Sequence, residues 1–147
     1  MKKFLITCFV AVNILALGAC SDKDDPEPSE EGKTGKFTVS IDKIDEGDIV
    51  IVDFNGTMPG ETIWKVNGQE RSNEMSIKLE AKDFKSTKTF VIETVRPIPH
   101  LIVTMALSNS GEPLNFTYKA EIDGKEVKND KKTLSGTDNE YDTQYNY

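Results

Sequence analysis

An alternation of apolar and polar residues with a period of two constrains the fold of this chain more than any other feature. It runs through residues 37–41, 75–81 and 114–122, where every second residue is apolar. In a β-strand this spacing places all the apolar side chains on one face. Asn67-Gly68 and Asp123-Gly124 fall between such segments and are residue pairs that tight hairpin turns favour. The pattern therefore predicts an antiparallel fold and nearly excludes helices.

About seven or eight short strands can be placed within residues 37–147, a usual size for one domain. Strands of this number and spacing predict an immunoglobulin-like two-sheet β-sandwich, with Trp64 as a candidate core residue between the sheets. Residues 101–108 form the most apolar segment of the domain. We therefore expect them to form a central strand that is buried on both faces. No disulfide is expected, since the domain contains no cysteine.

The first 20 residues have the composition of a secretory signal. Lys2 and Lys3 precede an apolar run at residues 4–17, and Leu17-Gly18-Ala19-Cys20 follows. A membrane-spanning helix would need about 20 apolar residues, and this run is shorter. The segment resembles the lipobox of bacterial lipoproteins. That resemblance implies a signal peptide at residues 1–19, cleavage between Ala19 and Cys20, and attachment of diacylglycerol and an acyl chain such as palmitate to Cys20.

Lys23, Asp24 and Asp25 lie just behind the lipobox. This short run resembles the export signal of surface lipoproteins in the phylum Bacteroidota, a lysine with two acidic residues. The resemblance implies a protein that is anchored in the outer membrane and exposed at the cell surface. Two alternatives remain open, an acidic linker without a sorting role and an outer-membrane protein that faces the periplasm.

A flexible acidic tether is predicted at residues 20–36. No apolar residue occurs from Ser21 to Lys36, so this stretch cannot bury enough surface to offset the entropy of ordering. The net charge of the whole chain is −7, and cleavage would also remove Lys2 and Lys3. An acidic protein repels nucleic acid, so we expect no nucleic-acid partner.

The C-terminal part carries a second resemblance. Ile122-Asp123-Gly124-Lys125, followed by Gly136 and an alternating final segment, is similar to the extracytoplasmic sandwich domain of MmpS-type transport accessory proteins. The resemblance implies a β-sandwich and an accessory role in envelope transport.

Catalytic chemistry is not expected from this composition. His100 is the single histidine, and it follows a Pro-Ile-Pro connection where a structural or solvated imidazole is the usual finding. Cys8 lies in the predicted signal and Cys20 in the lipobox, so neither can partner it as a nucleophile. Acidic residues fall in turns or opposite apolar neighbours, a pattern typical of a solvated face. We predict no catalytic residues and no enzyme.

Metal and cofactor sites are not predicted either. The turns at residues 42–48 and 138–142 are rich in oxygen ligands, but neither has the spacing of a calcium loop. Zinc is not expected, because one histidine and no available thiol cannot complete a structural zinc site.

Aromatic residues at the C-terminus are the candidate binding residues. Tyr141, Tyr145 and Tyr147 lie four and two residues apart, so they fit a period of two and would share one strand face. Together with Trp64 they could stack on sugars. If that face is buried, the tyrosines instead close the sandwich. The sequence thus predicts an outer-membrane lipoprotein that acts as a non-catalytic binding or envelope accessory module. Its partner would be a glycan, in a nutrient-uptake system, or another envelope protein.

Overall fold

The computed structural model describes residues 32–57 and 63–147 of the 147-residue chain. In this part the chain forms ten strands and one short helix. They are β1 (Gly35–Asp42), β2 (Ile49–Gly56), β3 (Trp64–Val66), β4 (Gln69–Arg71), β5 (Ser76–Glu80), α1 (Ala81–Phe84), β6 (Thr89–Thr94), β7 (Leu101–Ser108), β8 (Leu114–Ile122), β9 (Lys125–Leu134) and β10 (Glu140–Asn146). None of the described helical residues forms a helix that is long and apolar enough to cross a membrane.

Two antiparallel sheets pack face to face. The six-stranded sheet has the order β4-β3-β6-β1-β8-β9, and the four-stranded sheet has the order β10-β7-β2-β5. The predicted two-sheet sandwich is confirmed. The ten described strands outnumber the expected seven or eight, and the two shortest, β3 and β4, form a hairpin at one edge of the six-stranded sheet. The first connection crosses between the sheets, since β1 lies in the six-stranded sheet and β2 in the four-stranded sheet.

A single apolar core lies between the sheets. In β1, β2, β7 and β8 every second residue is buried, as the period of two predicts. Aromatic rings fill the centre: Phe37 contacts Phe54 at 5.4 Å and Tyr118 at 6.5 Å between ring centroids. The largest fully buried side chains are Trp64, Tyr118, Phe37, Phe54, Phe116, Ile41, Ile63, Ile92, Ile98, Leu101, Met105 and Leu114.

Both predicted hairpin turns are present. Asn67 and Gly68 have φ of 49° and 80°, and Asp123 and Gly124 have φ of 49° and 74°. Two successive positive φ values are what a two-residue type I′ turn requires. These turns fix the β3–β4 and β8–β9 registers.

Three elements differ from the sequence-based expectation. β7 is fully buried on one face only, and Ile102, Thr104 and Ala106 on its other face are half-buried, since no described layer covers that side of the sheet. A helical turn, α1, lies between β5 and β6, although the sequence pattern nearly excluded helices; the Asp83 carboxylate accepts the N–H of Glu80 at 2.8 Å and caps it. β9 continues to Leu134, well beyond the alternating pattern.

The folded domain begins before residue 37, so the predicted tether boundary is too late. Lys33 pairs with Ile98 through two backbone hydrogen bonds of 2.9 Å. The Asp123 carboxylate accepts the backbone N–H of Thr34 at 2.9 Å, and Gly35 is buried in β1. Composition alone missed this because backbone pairing needs no apolar side chain.

Candidate functional site

Trp64 is a core residue, so it offers no surface for stacking. Its side chain is fully buried at the start of β3, and its indole N–H donates to the carbonyl of Met75 at 3.1 Å. The ring meets Phe54 edge-on at 6.4 Å between centroids. The core role that the sequence suggested for Trp64 accounts for all of these contacts, and its proposed sugar-binding role does not.

The C-terminal tyrosines share one face of β10, and this face points into the sandwich. Tyr141 contacts Phe116 at 5.3 Å, and Tyr145 stacks on Tyr118 at 5.4 Å with an interplanar angle of 9°. All three tyrosines are partly buried against the core. The alternation predicted correctly that the three tyrosines share a face. That face packs against the core between the two sheets.

Their hydroxyl groups form a network at the side of the sandwich where β9 and β10 approach each other. Tyr141 and Tyr145 donate to one oxygen of Asp130 at 2.8 and 2.5 Å. The Lys128 ammonium lies 3.1 Å from the other oxygen and 5.2 Å from the centroid of the Tyr145 ring. We call Lys128, Asp130, Tyr141 and Tyr145 the tyrosine latch, because they join an edge strand of each sheet.

Electrostatics in the tyrosine latch favour a charged Asp130 and a neutral Tyr141. Burial opposes ionisation of Asp130, but hydrogen bonds from Tyr145 and Tyr141 together with Lys128 outweigh it and lower its pKa below the usual range. Burial raises the pKa of Tyr141, and hydrogen bonds to Tyr145 and Asp130 raise it further. The donors and acceptors of the latch thus satisfy each other, which suits a structural contact.

The ends of the sandwich differ in what they can present to a ligand. The described chain enters at one end, where Lys33 and Thr34 pair with Ile98 and Asp123. β1 then runs for eight residues, or about 26 Å at ~3.3 Å per residue, to the opposite end. There the connections β1–β2, β5–β6, β7–β8 and β9–β10 come together, and we call this the loop end.

Hydrogen bonds to two aspartates hold the loop end in shape. One oxygen of Asp48 accepts the backbone N–H of Ser110 at 2.8 Å, and its other oxygen accepts the backbone N–H of Asp45 at 2.8 Å. Asp45 in turn accepts the N–H of Glu112 at 2.7 Å. Asp48 is only 8% exposed. The first acidic turn of the sequence therefore ties the β1–β2 loop to the β7–β8 loop.

A shallow cleft of about 260 Å³ also opens at the loop end. Ile41, Ile44 and Phe84 form its apolar lining, and the charged residues around it are Asp42, Lys43, Lys85 and Lys88. A hydrogen bond from Lys88 lowers the pKa of Asp42. The cleft is below the ~300 Å³ at which sites for small organic ligands begin, so a contact with the surface of a larger partner suits it better.

Several predicted residues lie outside the described part of the chain. These are Ala19, Cys20, Lys23, Asp24 and Asp25, with the whole of the predicted signal peptide. His100 lies in the described part, exposed just before β7. Across residues 32–57 and 63–147, no three His, Cys, Asp or Glu side chains come together in a way that could hold a metal ion.

Sequence reasoning missed Asp130 and Lys128, which complete the tyrosine latch, and Asp48, which ties the loops. The sequence shows Asp48 as part of an acidic turn, but only the fold shows which N–H groups its carboxylate accepts. Asp130 carried no such signal, because polar residues occupy both faces of β9.

Comparison with known proteins gives structural neighbours alone. No family model matches the chain, and none of the curated proteins is significantly similar to it. The chain is similar in fold to the calcium-bound form of a protein from Parabacteroides distasonis, with a TM-score of 0.59 and 17% identity over 83% of this chain and 98% of that one. It is also similar to a DUF4425 domain of unknown function from Bacteroides vulgatus, with a TM-score of 0.55 and 18% identity over 80% and 94% of the two chains. A DUF4425 family protein from Bacteroides ovatus is similar as well, with a TM-score of 0.55 and 14% identity over 79% of this chain and 94% of that one. At these identities the similarity establishes the fold.

Proposed function

We propose that this chain is an outer-membrane-anchored lipoprotein whose β-sandwich is a non-catalytic binding or envelope accessory module. The observation that carries the proposal is the separation between the point where the chain enters the domain and the loop end. An anchor at Cys20 would lie before the entry point, and β1 spans about 26 Å from there to the loop end. The loop end would therefore face away from the membrane.

The surface of the domain supports binding to a macromolecule more than binding to a small ligand. Three clefts on the described surface have volumes of about 260, 200 and 180 Å³, each below the usual range for small-molecule sites. The loop end is held by hydrogen bonds to Asp45 and Asp48. A rigid end loses little entropy on binding, so it suits the recognition of another surface.

The glycan-binding alternative has less support. It requires a flat row of exposed rings, whereas Trp64 is fully buried and Tyr141, Tyr145 and Tyr147 pack against the core. The described surface offers no other tryptophan, because Trp64 is the only one in the chain. An envelope accessory role, which needs no aromatic platform, is the better-supported form of the proposal.

Replacing the lipid attachment site tests the anchor. Cys20→Ala should move the protein from the membrane fraction and abolish metabolic labelling with a palmitate analogue, because no thiol remains at the predicted lipobox. Cys8→Ala is the matched control and should leave both unchanged. Membrane association and labelling that persist in Cys20→Ala would contradict the proposal.

Calcium binding at the loop end is a second candidate function. It is supported by the calcium-bound form of the similar protein from Parabacteroides distasonis and by the proximity of Asp45 and Asp48, whose carboxylates are ligands that calcium prefers. Binding here would have to replace hydrogen bonds that both carboxylates now accept. The sequence-based expectation of no metal stands against it.

A calcium titration decides between these two expectations. If calcium binds at the loop end, it should raise the melting temperature of the protein in a concentration-dependent way, and Asp45→Asn should remove that shift. Magnesium is the control ion. A melting temperature that calcium does not change would leave the no-metal expectation standing.

A further inference from the structure

Four strands form the edges of the two described sheets, and three of them are protected against pairing with another chain. β4 has three residues, and β5 has five and runs directly into α1. β9 carries four lysines, and a register shift at Ala120/Glu121 distorts its pairing with β8. Short length, lysine and bulges are the usual devices that block edge pairing. β10 is the least protected: its seven residues include no lysine and no proline, it has no bulge, and its two charged residues are Glu140 and Asp142.

The hydrogen bonds of β10 show which of its backbone groups are free. Tyr147 and Leu101 exchange both backbone hydrogen bonds, and β10 keeps one register against β7 throughout. In an antiparallel ladder such pairs recur at every second residue. The N–H and C=O groups of residues 141, 143 and 145 therefore point to β7. Those of Glu140, Asp142, Gln144 and Asn146 point to the open edge.

We propose that a second copy of this chain pairs with this open edge, β10 against β10 in antiparallel orientation, so that two four-stranded sheets join into one. In one register all four outward-pointing residues are used. Glu140 then pairs with Asn146 of the second copy, and Asp142 pairs with Gln144 of the second copy. Each pair exchanges two hydrogen bonds, and the symmetry axis passes through Thr143.

Charge selects this register over its neighbours. A shift by two residues in one direction places Asp142 opposite Asp142 of the second copy, and like charges that face each other across strands are unfavourable. A shift in the other direction places Glu140 opposite no residue of β10 in the second copy. The symmetric register opposes each acidic residue to an amide. On the inner face it also brings Tyr141 next to Tyr145 of the second copy, a favourable aromatic pair.

The contact is small, so its strength should depend on concentration. One pair of seven-residue strands buries less than the ~1,200 Å² of a typical stable interface. We therefore expect the pairing to be weak in dilute solution and strong where many copies share one surface.

Cysteine cross-linking in the full chain tests both the pairing and its register. In the symmetric register Thr143 faces itself as a non-hydrogen-bonded pair, with Cα atoms ~4.5 Å apart, which is within the range for a disulfide. Thr143→Cys should therefore form a disulfide-linked dimer under mild oxidation, well above the background of the parent chain. Asp142→Cys and Gln144→Cys should stay at background, because neither residue faces itself. Ser76→Cys, on the edge of β5, controls for random collision.

A proline variant separates edge pairing from other contacts. The N–H of Gln144 points to the open edge, so Gln144→Pro leaves the bonds to β7 in place and removes one donor that the second copy would use. In the Thr143→Cys background this change should abolish the dimer while circular dichroism shows an unchanged fold. The proposal is overturned if Thr143→Cys stays monomeric, if the cysteines at 142, 144 or 76 cross-link equally well, or if Thr143→Cys links only to a different protein.

Discussion

At the scale of single residues, two carboxylates that accept several hydrogen bonds do more to define this domain than its many exposed ion pairs. Most lysine–carboxylate pairs in the structure lie at the surface, such as Lys36–Glu93 and Lys65–Glu70. Pairs of this kind contribute little to stability. Asp48 and Asp130 are different, because each accepts several hydrogen bonds at a point where two loops or two sheets meet.

We expect Asp48→Ala to destabilise the fold by about 2 kcal/mol, since it leaves the partly buried N–H groups of Ser110 and Asp45 without their acceptor. Chemical denaturation would measure the change in the free energy of unfolding. Glu46→Ala, an exposed acidic residue of the same turn, is the control and should change it by less than about 0.5 kcal/mol. Equal effects of the two substitutions would show that Asp48 does not tie the loops.

The pH dependence of stability should report on Asp130. Its pKa is lower in the fold than in the unfolded chain, so its contribution is present above the unfolded pKa of about 4 and is lost as the pH falls through the folded pKa. Asp130→Asn should therefore make stability less dependent on pH below about 5. Asp138→Asn, in the exposed β9–β10 turn, should keep the parent's profile. If Asp130→Asn has the same pH profile of stability as the parent protein, Asp130 does not stabilise the fold through the tyrosine latch.

At the scale of strands, the alternation of apolar and polar residues predicted the strands that pack one face against the core. It did not predict strands that lack such a face. β1, β5 and β8 follow their alternating residues closely. β9 does not, because as an edge strand it can place Lys128 and Asp130 at the open side of the sandwich without burying a charge in the core. Periodicity also placed the C-terminal tyrosines on one face, but it could not tell which side of β10 the other sheet covers.

The burial of β10 predicts how the protein responds to alkali. All four tyrosines of the chain lie in β8 and at the C-terminal end, and burial raises the pKa of Tyr118, Tyr141 and Tyr147. Neutral tyrosines in the fold stabilise it below the unfolded pKa of about 10, and this contribution is lost as the pH rises further. The tyrosinate absorbance of these three residues should therefore increase only as circular dichroism reports unfolding. Ionisation of Tyr118, Tyr141 and Tyr147 near pH 10 in a folded protein would rule out this packing.

At the scale of the whole molecule, the position where the domain begins decides how the rest of the chain is attached. Contacts of Lys33, Thr34 and Gly35 hold the entering chain to Ile98, Asp123 and Thr94. A protein that begins at Gly32 should therefore be more stable than one that begins at Phe37, by about 3 kcal/mol for the hydrogen bonds lost. Thermal and chemical unfolding of the two proteins would measure the difference. Equal stabilities of the two proteins would show that the folded domain begins at residue 37.

The central claim is that the sandwich is displayed from the outer membrane on a lipid anchor, and protease shaving of intact cells tests it most directly. The native protein is compared with a variant in which Lys23, Asp24 and Asp25 are replaced by alanine, and a periplasmic protein serves as the control for membrane integrity. We predict that added protease degrades the native protein and that the variant is protected. Protection of both proteins, with the periplasmic control intact, would contradict surface display and would direct the search for partners to the periplasm.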